Sequence, residues 1–332
     1  MIYSNTKIKR RSGYLKIMLF VLVVIAAVLF VPKPADIIFI DRKTGKKIKE
    51  KVPGDRLLSW LYYNPFGKIA LHGAVKRKIL SEHYGKMMDS PNSKKMIYEF
   101  IKEYNIEMDE FVKKPEEFSC FNEFFYRELK PGSRKIGDGD VVSPADGKII
   151  AFNEITATGT FFIKGKKFDL KSYFGNEESA KQFEGGAMAI IRLAPVDYHR
   201  FHFPCSGKIS ESIKVDGDYY SVSPIALKKS IEIFMENKRE YSIIENERVG
   251  KVAFSEIGAT MVGSIVQTFK PYTEAVKGSE KGYFKFGGSS VMILFQKNKI
   301  KFDEDIVKNT KEGFETYIKM GENIASVLEK KD

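Results

Sequence analysis

From Val141 onward the chain changes texture, and this change limits its fold more than any other feature. Short β-rich runs (GKIIAF, GTFFIKGKKFDL, AMAIIRLA, GKISESIKV, KVAFSEIG and SVMILFQ) stand between turns rich in Gly, Asp and Asn. Apolar, β-branched and aromatic runs of that length, bounded by turn formers, predict strands. They set out a mainly β unit over residues 141–332. A helix over Lys311–Lys330 is expected to close it, since Phe314, Tyr317, Ile318, Ile324, Val327 and Leu328 fall near one helical face.

Ahead of Val141 the spacing is helical. Between Leu57 and Ile79 apolar residues recur at three and four, interrupted by Asn64-Pro65, with Lys68, Lys76, Arg77 and Lys78 among them. Two amphipathic helices follow from that pattern, packed on the core or turned toward a membrane surface. Lys94–Tyr104, Met108–Lys113 and SCFNEFFYREL (119–129) continue as helix, while Ile37–Asp41 has strand character. The expected fold class is α+β: an N-terminal membrane-anchor helix, a helical layer over 36–140, then the β core. Residues 36–332 are expected to fold as one unit, with 36–140 its mainly helical part and 141–332 its mainly β part.

The first 35 residues are a separate segment. They hold six Lys or Arg and no Asp or Glu, half of the net charge of +12. A basic chain can serve nucleic acid or an anionic membrane, and the neighbouring residues decide between them. Ile17–Val31 is uninterrupted apolar sequence, which favours the membrane and gives no reason to invoke nucleic acid. A span wants about 20 residues, and Gly13–Pro32 supplies them if Lys16 snorkels to the headgroups. A signal anchor is the expectation; a cleaved signal peptide lacks a small-x-small site after the run. Cys120 and Cys205 lie far apart without metal-ligand spacing, as inert buried thiols would.

Three places in the β region concentrate reactive groups. Ser143-Pro-Ala-Asp146-Gly-Lys148 is above all a turn, of the kind on which carrier modules display a modified lysine. Val196-Asp-Tyr-His199-Arg-Phe-His202-Phe-Pro204 holds two of the four histidines. No Cys or Glu nearby completes a metal site, so a general acid/base pair is the better reading. Phe284-Lys-Phe-Gly287-Gly288-Ser289-Ser290 leads straight into a strand. An Asp, a His and a Ser in this order match an orienter, a base and a nucleophile. The hydrolase elbow Gly-x-Ser-x-Gly is absent. A serine after two glycines, where the backbone can be strained, suits attack on its own preceding carbonyl.

In order and setting, these motifs resemble the phosphatidylserine decarboxylases. FNEFFYRELKPGSR, SPADGKI, FFIKGKKFDL, VDYHRFHFP, GATMVGSI and GYFKFGGSSV are similar to family segments, and the likeness spans roughly residues 41 to 330. The resemblance implies a proenzyme whose self-processing triad is Asp146, His202 and Ser289. It would cut at Gly288-Ser289 into 1–288 and 289–332, two fragments that stay associated. Ser289 would become a covalent pyruvoyl cofactor that forms a Schiff base with phosphatidylserine, releases carbon dioxide and leaves phosphatidylethanolamine. His199 is the candidate acid for the resulting carbanion, and no metal is implied. Family members often have Leu-Gly-Ser-Thr where this chain has Gly287-Gly288-Ser289-Ser290, which leaves Ser290 as an alternative nucleophile. A homodimer is compatible with the resemblance. The cell membrane is the expected location; the positive-inside rule and the family's cytoplasmic habit oppose each other on its side. The rivals are a pyruvoyl decarboxylase of a soluble amino acid, a tethered carrier module modified at Lys148, and an unanchored serine hydrolase.

Overall fold

The computed structural model describes residues 18–19, 21–33, 36–75, 78–155, 160–163, 166–229, 232–259, 264–287 and 289–329. Among them the largest sheet has 11 strands. Its order runs Glu274–Ala275, Gly207–Ile209, Arg239–Asn246, Gly250–Ile257, Ser289–Phe295, Ala187–Leu193, Gly147–Phe152, Glu315–Ile318, Ile38–Asp41, Lys47–Lys49, with Ile213–Val215 also on Arg239–Asn246. Only Ile38–Asp41 and Glu315–Ile318 pair in parallel.

The two central strands, Ser289–Phe295 and Ala187–Leu193, are buried at every position. Successive side chains leave a strand on opposite faces, so each strand feeds two cores. Ile149, Ile191, Val291, Ile293 and Phe254 enter one; Ile150, Ile190, Met292, Leu294 and Ala253 enter the other. Burial on both faces is why these runs are continuously apolar rather than alternating.

A three-stranded sheet, Ile265–Gln267, Glu280–Phe284 and Arg200–His202, covers the first face. Its Phe201 and Phe284 share a core with Ile191 and Val291. The helical layer covers the second, where Leu61, Tyr62 and Leu71 pack with Met188, Ile190 and Met292. Asn64-Pro65 separates helices Asp55–Tyr63 and Pro65–Ala70 as the sequence predicts. The two helices meet so closely that a Cβ on Gly67 would lie 2.0 Å from the Trp60 carbonyl oxygen. A smaller core of Met88, Ile97, Phe118, Phe121, Phe124 and Phe125 joins this layer to Phe286.

Three expectations need correction. Residues 311–330 are not a helix: Glu304–Lys311 ends the helical stretch, and Glu315–Ile318 and Asn323–Val327 are strands. Gly313 and Gly321 adopt φ of 83° and 89°, which breaks any helix across them. Thr316 and Ile318 are buried while Glu315 and Tyr317 are not. That period of two satisfies the segment's backbone between two neighbouring strands. The helix expected over 119–129 is confined to Phe121–Phe125, and Met108–Lys113 is not helical, because Phe111 and Leu129 pair as an antiparallel bridge. At the N-terminus residues 21–29 are helical. Among the described residues no helix is long and apolar enough to cross a membrane. Residues 1–17, including most of the basic segment, lie outside them.

Candidate active site

Ser289 opens its strand opposite Leu193, and Lys148 lies opposite Arg192 on the other side of the same central strand. Asp146 and Ser289 therefore reach the same end of the sheet, about two strand spacings, or 10 Å, apart. The segment carrying His199 and His202 continues from that end of Ala187–Leu193. The sheet topology thus gathers all four candidate residues, and all four are buried.

The register also separates the two adjacent serines. Ser289 shares a face with Leu193 and Val291, the face covered by the small sheet that carries His202. Ser290 is opposite Arg192 and Ile257 and shares the other face. Both hydroxyls are buried without a hydrogen-bond partner. Position relative to the histidines favours Ser289. Gly288 lies outside the described residues; Gly287 before it has φ 134°, a conformation open to glycine. Phe286 is held by its amide donating to Asn122 Oδ1 at 2.6 Å, and its ring centroid is 4.9 Å from that of Phe125.

Phe125 lies between Phe286 and His199, whose ring centroid is 3.8 Å away. His199 Nδ1 is 2.9 Å from the Asp197 carbonyl oxygen. A carbonyl can only accept, so the proton sits on Nδ1 and Nε2 keeps its lone pair. That Nε2 is buried and unpartnered. Burial, helped by the charges of Arg127 and Lys148, pushes the imidazole down to about 3. His202 follows the same logic: Nδ1 donates to Gly278 O at 3.0 Å, so Nε2 accepts from the Tyr198 hydroxyl at 3.0 Å. Burial pushes it down to about 4. Both histidines are neutral bases at neutral pH.

Asp146 accepts from Arg134 at 2.8 Å and from the Met320 amide at 2.7 Å. Neither it nor Ser289 bonds to His202 here. Arg134 and Tyr198 line both a cleft of about 610 Å³ that reaches His202 and one of about 270 Å³ that reaches Asp146, and so stand between the two. Sequence reasoning passed over Tyr198, Arg134, Asp197 and Arg127. Their signal was proximity, since each lies within or beside a motif segment. Lys148 is 4% exposed and bonded to Asp197, so it cannot be displayed to a modifying enzyme as a carrier lysine must. Cys120 and Cys205 are free and buried.

A buried hydroxyl with no partner, heading a strand behind paired glycines and sharing a sheet end with two neutral imidazoles, has the residue types that a nucleophile and its base require. Residues 121–326 match the family model described as phosphatidylserine decarboxylase. Curated proteins named phosphatidylserine decarboxylase proenzyme are similar over nearly their whole length. That of Fusobacterium nucleatum is 52% identical over 87% of this chain and 97% of its own. Those of Clostridium novyi and Desulfitobacterium hafniense are 46% and 42% identical, over 84% and 86% of this chain and 95% and 97% of theirs. This chain belongs to the phosphatidylserine decarboxylase family.

Proposed function

We propose that the chain cuts itself at Gly288-Ser289 and then decarboxylates phosphatidylserine to phosphatidylethanolamine, with a pyruvoyl group derived from Ser289 as its cofactor. The observation that carries this reading is the orphaned, fully buried Ser289 hydroxyl at the head of its strand. Leaving a hydroxyl unpaired in the interior costs about 1–3 kcal/mol, and unlike the orphaned hydroxyls of Ser59, Ser242 and Ser255, that of Ser289 follows paired glycines in a family motif. The orphaned His199 Nε2 gives the same end of the sheet an unused polar atom with which to hold a small keto group.

In the cut, His202 Nε2 takes the Ser289 proton after exchanging the Tyr198 hydroxyl for Ser289. Oγ attacks the Gly288 carbonyl carbon, and the amide becomes an ester. Loss of the serine α-proton then breaks the Cβ–O bond and frees the N-terminal fragment as a carboxylate. Water replaces the remaining nitrogen, which leaves as ammonia. Asp146 is the proposed carboxylate of the triad. Its hydrogen bonds here go to Arg134 and Met320, so its part rests on the family motif and its place at the same sheet end.

The pyruvoyl group supplies an electron sink for the pair freed as carbon dioxide departs. The chain's own contribution to turnover centres on His199. A substrate ammonium must lose a proton before its nitrogen can react, and the lone pair on His199 Nε2 can receive it. The same proton is then available for the carbon that loses carbon dioxide.

The lipid substrate gives the helical layer its purpose. The 21–29 helix ends against that layer: Asn64 Nδ2 donates to the Ala27 and Phe30 carbonyls at 2.8 Å each, and Trp60 Nε1 donates to Val28 O at 2.7 Å. Leu22, Val23, Leu29, Phe30, Leu57, Ile69 and Ile79 are exposed on these helices. They seat the protein in an anionic bilayer, with nearby basic residues adding about 1 kcal/mol each. The two fragments stay together because strand Ser289–Phe295 is interior to the sheet. Intact mass of the wild type and Ser289→Ala tests the reading. A blocked fragment of 44 residues, 289–332, is expected from the wild type alone. An uncut, folded wild type would end it.

A further inference from the structure

Lys148 and Asp197 form an ion pair that the cleavage chemistry does not use. Nζ donates to Asp197 Oδ2 at 2.9 Å and Oδ1 at 3.2 Å, with both side chains 4% exposed. Asp197 Oδ2 also accepts from the Ala194 amide at 2.7 Å, while the Asp197 amide donates to Ala194 O at 2.8 Å. The two bonds close a turn that begins one residue after Leu193, the partner of Ser289. From this turn the Asp197 carbonyl faces outward and accepts both His199 Nδ1 and, at 3.3 Å, Arg127.

We infer that Lys148, acting through Asp197, is the positioning residue that sets the orientation and tautomer of His199. The inference rests on the proposed role of His199. Lys148 stands on the Gly147–Phe152 strand and ties the Asp146 motif to the histidine motif. Its hold on the carboxylate anchors the turn to the central sheet and aims the carbonyl at Nδ1, which leaves Nε2 as the lone pair. His202 is fixed separately, by its amide on Pro144 O and its ring on Gly278 O. The effect of Lys148 is therefore selective for turnover over self-cleavage. The charged groups around His199 are Arg127, Lys148 and Asp197, with Glu50 and Tyr317 behind the ion pair and Asp146 beyond Arg127. Burial keeps the ring neutral, and the charges of Arg127 and Lys148 add to it.

The test uses the full-length processed enzyme with phosphatidylserine vesicles. Lys148→Met is expected to yield the 44-residue fragment as the wild type does and to keep KM, while kcat falls roughly ten- to a hundredfold. The acid limb of its kcat profile moves to higher pH, since one cation has been removed from beside a neutral histidine, while the burial of the ring limits the move. Lys148→Arg restores both. The double variant Lys148→Met with Asp197→Asn leaves no buried charge unpaired, so it folds even if the single variant does not. It is expected to cleave normally and still turn over slowly. Wild-type kcat in either variant, or an acid limb that does not move in Lys148→Met, overturns the inference while leaving self-cleavage standing. A wild-type chain that neither cleaves nor decarboxylates overturns the functional reading, and this inference with it.

Discussion

The central sheet and the N-terminal helical layer use the same kinds of apolar residue to opposite ends. Ile293 and Leu294 on one strand fill two cores and are fully buried, whereas Ile69 and Leu29 on the helices are 71% exposed. The polar groups at their edges differ too, although Ser59 Oγ within the helical layer is also unpartnered. In the helical layer the free carbonyls at the end of residues 21–29 are answered by Asn64 and Trp60. At the sheet end Ser289 Oγ and His199 Nε2 are left with nothing. One region settles its backbone and leaves apolar side chains exposed; the other hides its side chains and leaves polar atoms without partners.

The largest test of this contrast is Ile293→Ala, which opens a cavity between packed strands and should cost about 2–5 kcal/mol. The urea midpoint of the processed protein reads it. Acidification comes next. Both histidines have folded values below the unfolded 6.5, so the unfolded chain takes up protons first and stability falls as pH drops below 6.5. About 2 kcal/mol per histidine should be gone by about pH 5. Melting scans across that range check this, and a flat profile would mean that the rings are already solvated.

Asn64→Ala removes the donor to two carbonyls and the acceptor for the Phe66 and Gly67 amides. We expect about 1–3 kcal/mol of destabilisation and looser vesicle binding, because the 21–29 helix loses its fixed angle to the layer. Ile69→Ser should be smallest in stability, within about 0.5 kcal/mol, yet should lower cosedimentation with anionic vesicles. A stability cost as large as that of Ile293→Ala would place Ile69 in a core and erase the distinction between the two regions.

Much of the site was legible before any coordinates. Asp146, His199, His202 and Ser289 stand in motifs whose residue types imply a nucleophile and its base, and the strand after Ser289 was plain from VMILF. What the motifs could not convey was the partnership of each group. Tyr198 on His202, Arg134 on Asp146 and Lys148 on Asp197 join residues that are 4, 12 and 49 positions apart. Pairings that cross strands leave no trace in spacing. The C-terminal segment failed for a related reason. Its apolar residues fit a helical face about as well as a strand, and hydrogen bonds to two distant strands made the choice.

The sequence alone determined the family, the α+β class, and the candidate residues with the order in which they occur, because local patterns and motif identity are carried by near neighbours. Only the tertiary structure decided which serine faces the histidines, which tautomers those histidines hold, and that Lys148 is an interior ion-pair partner. Strand register, burial and long-range hydrogen bonds set those, and each depends on groups that meet only when the chain has folded.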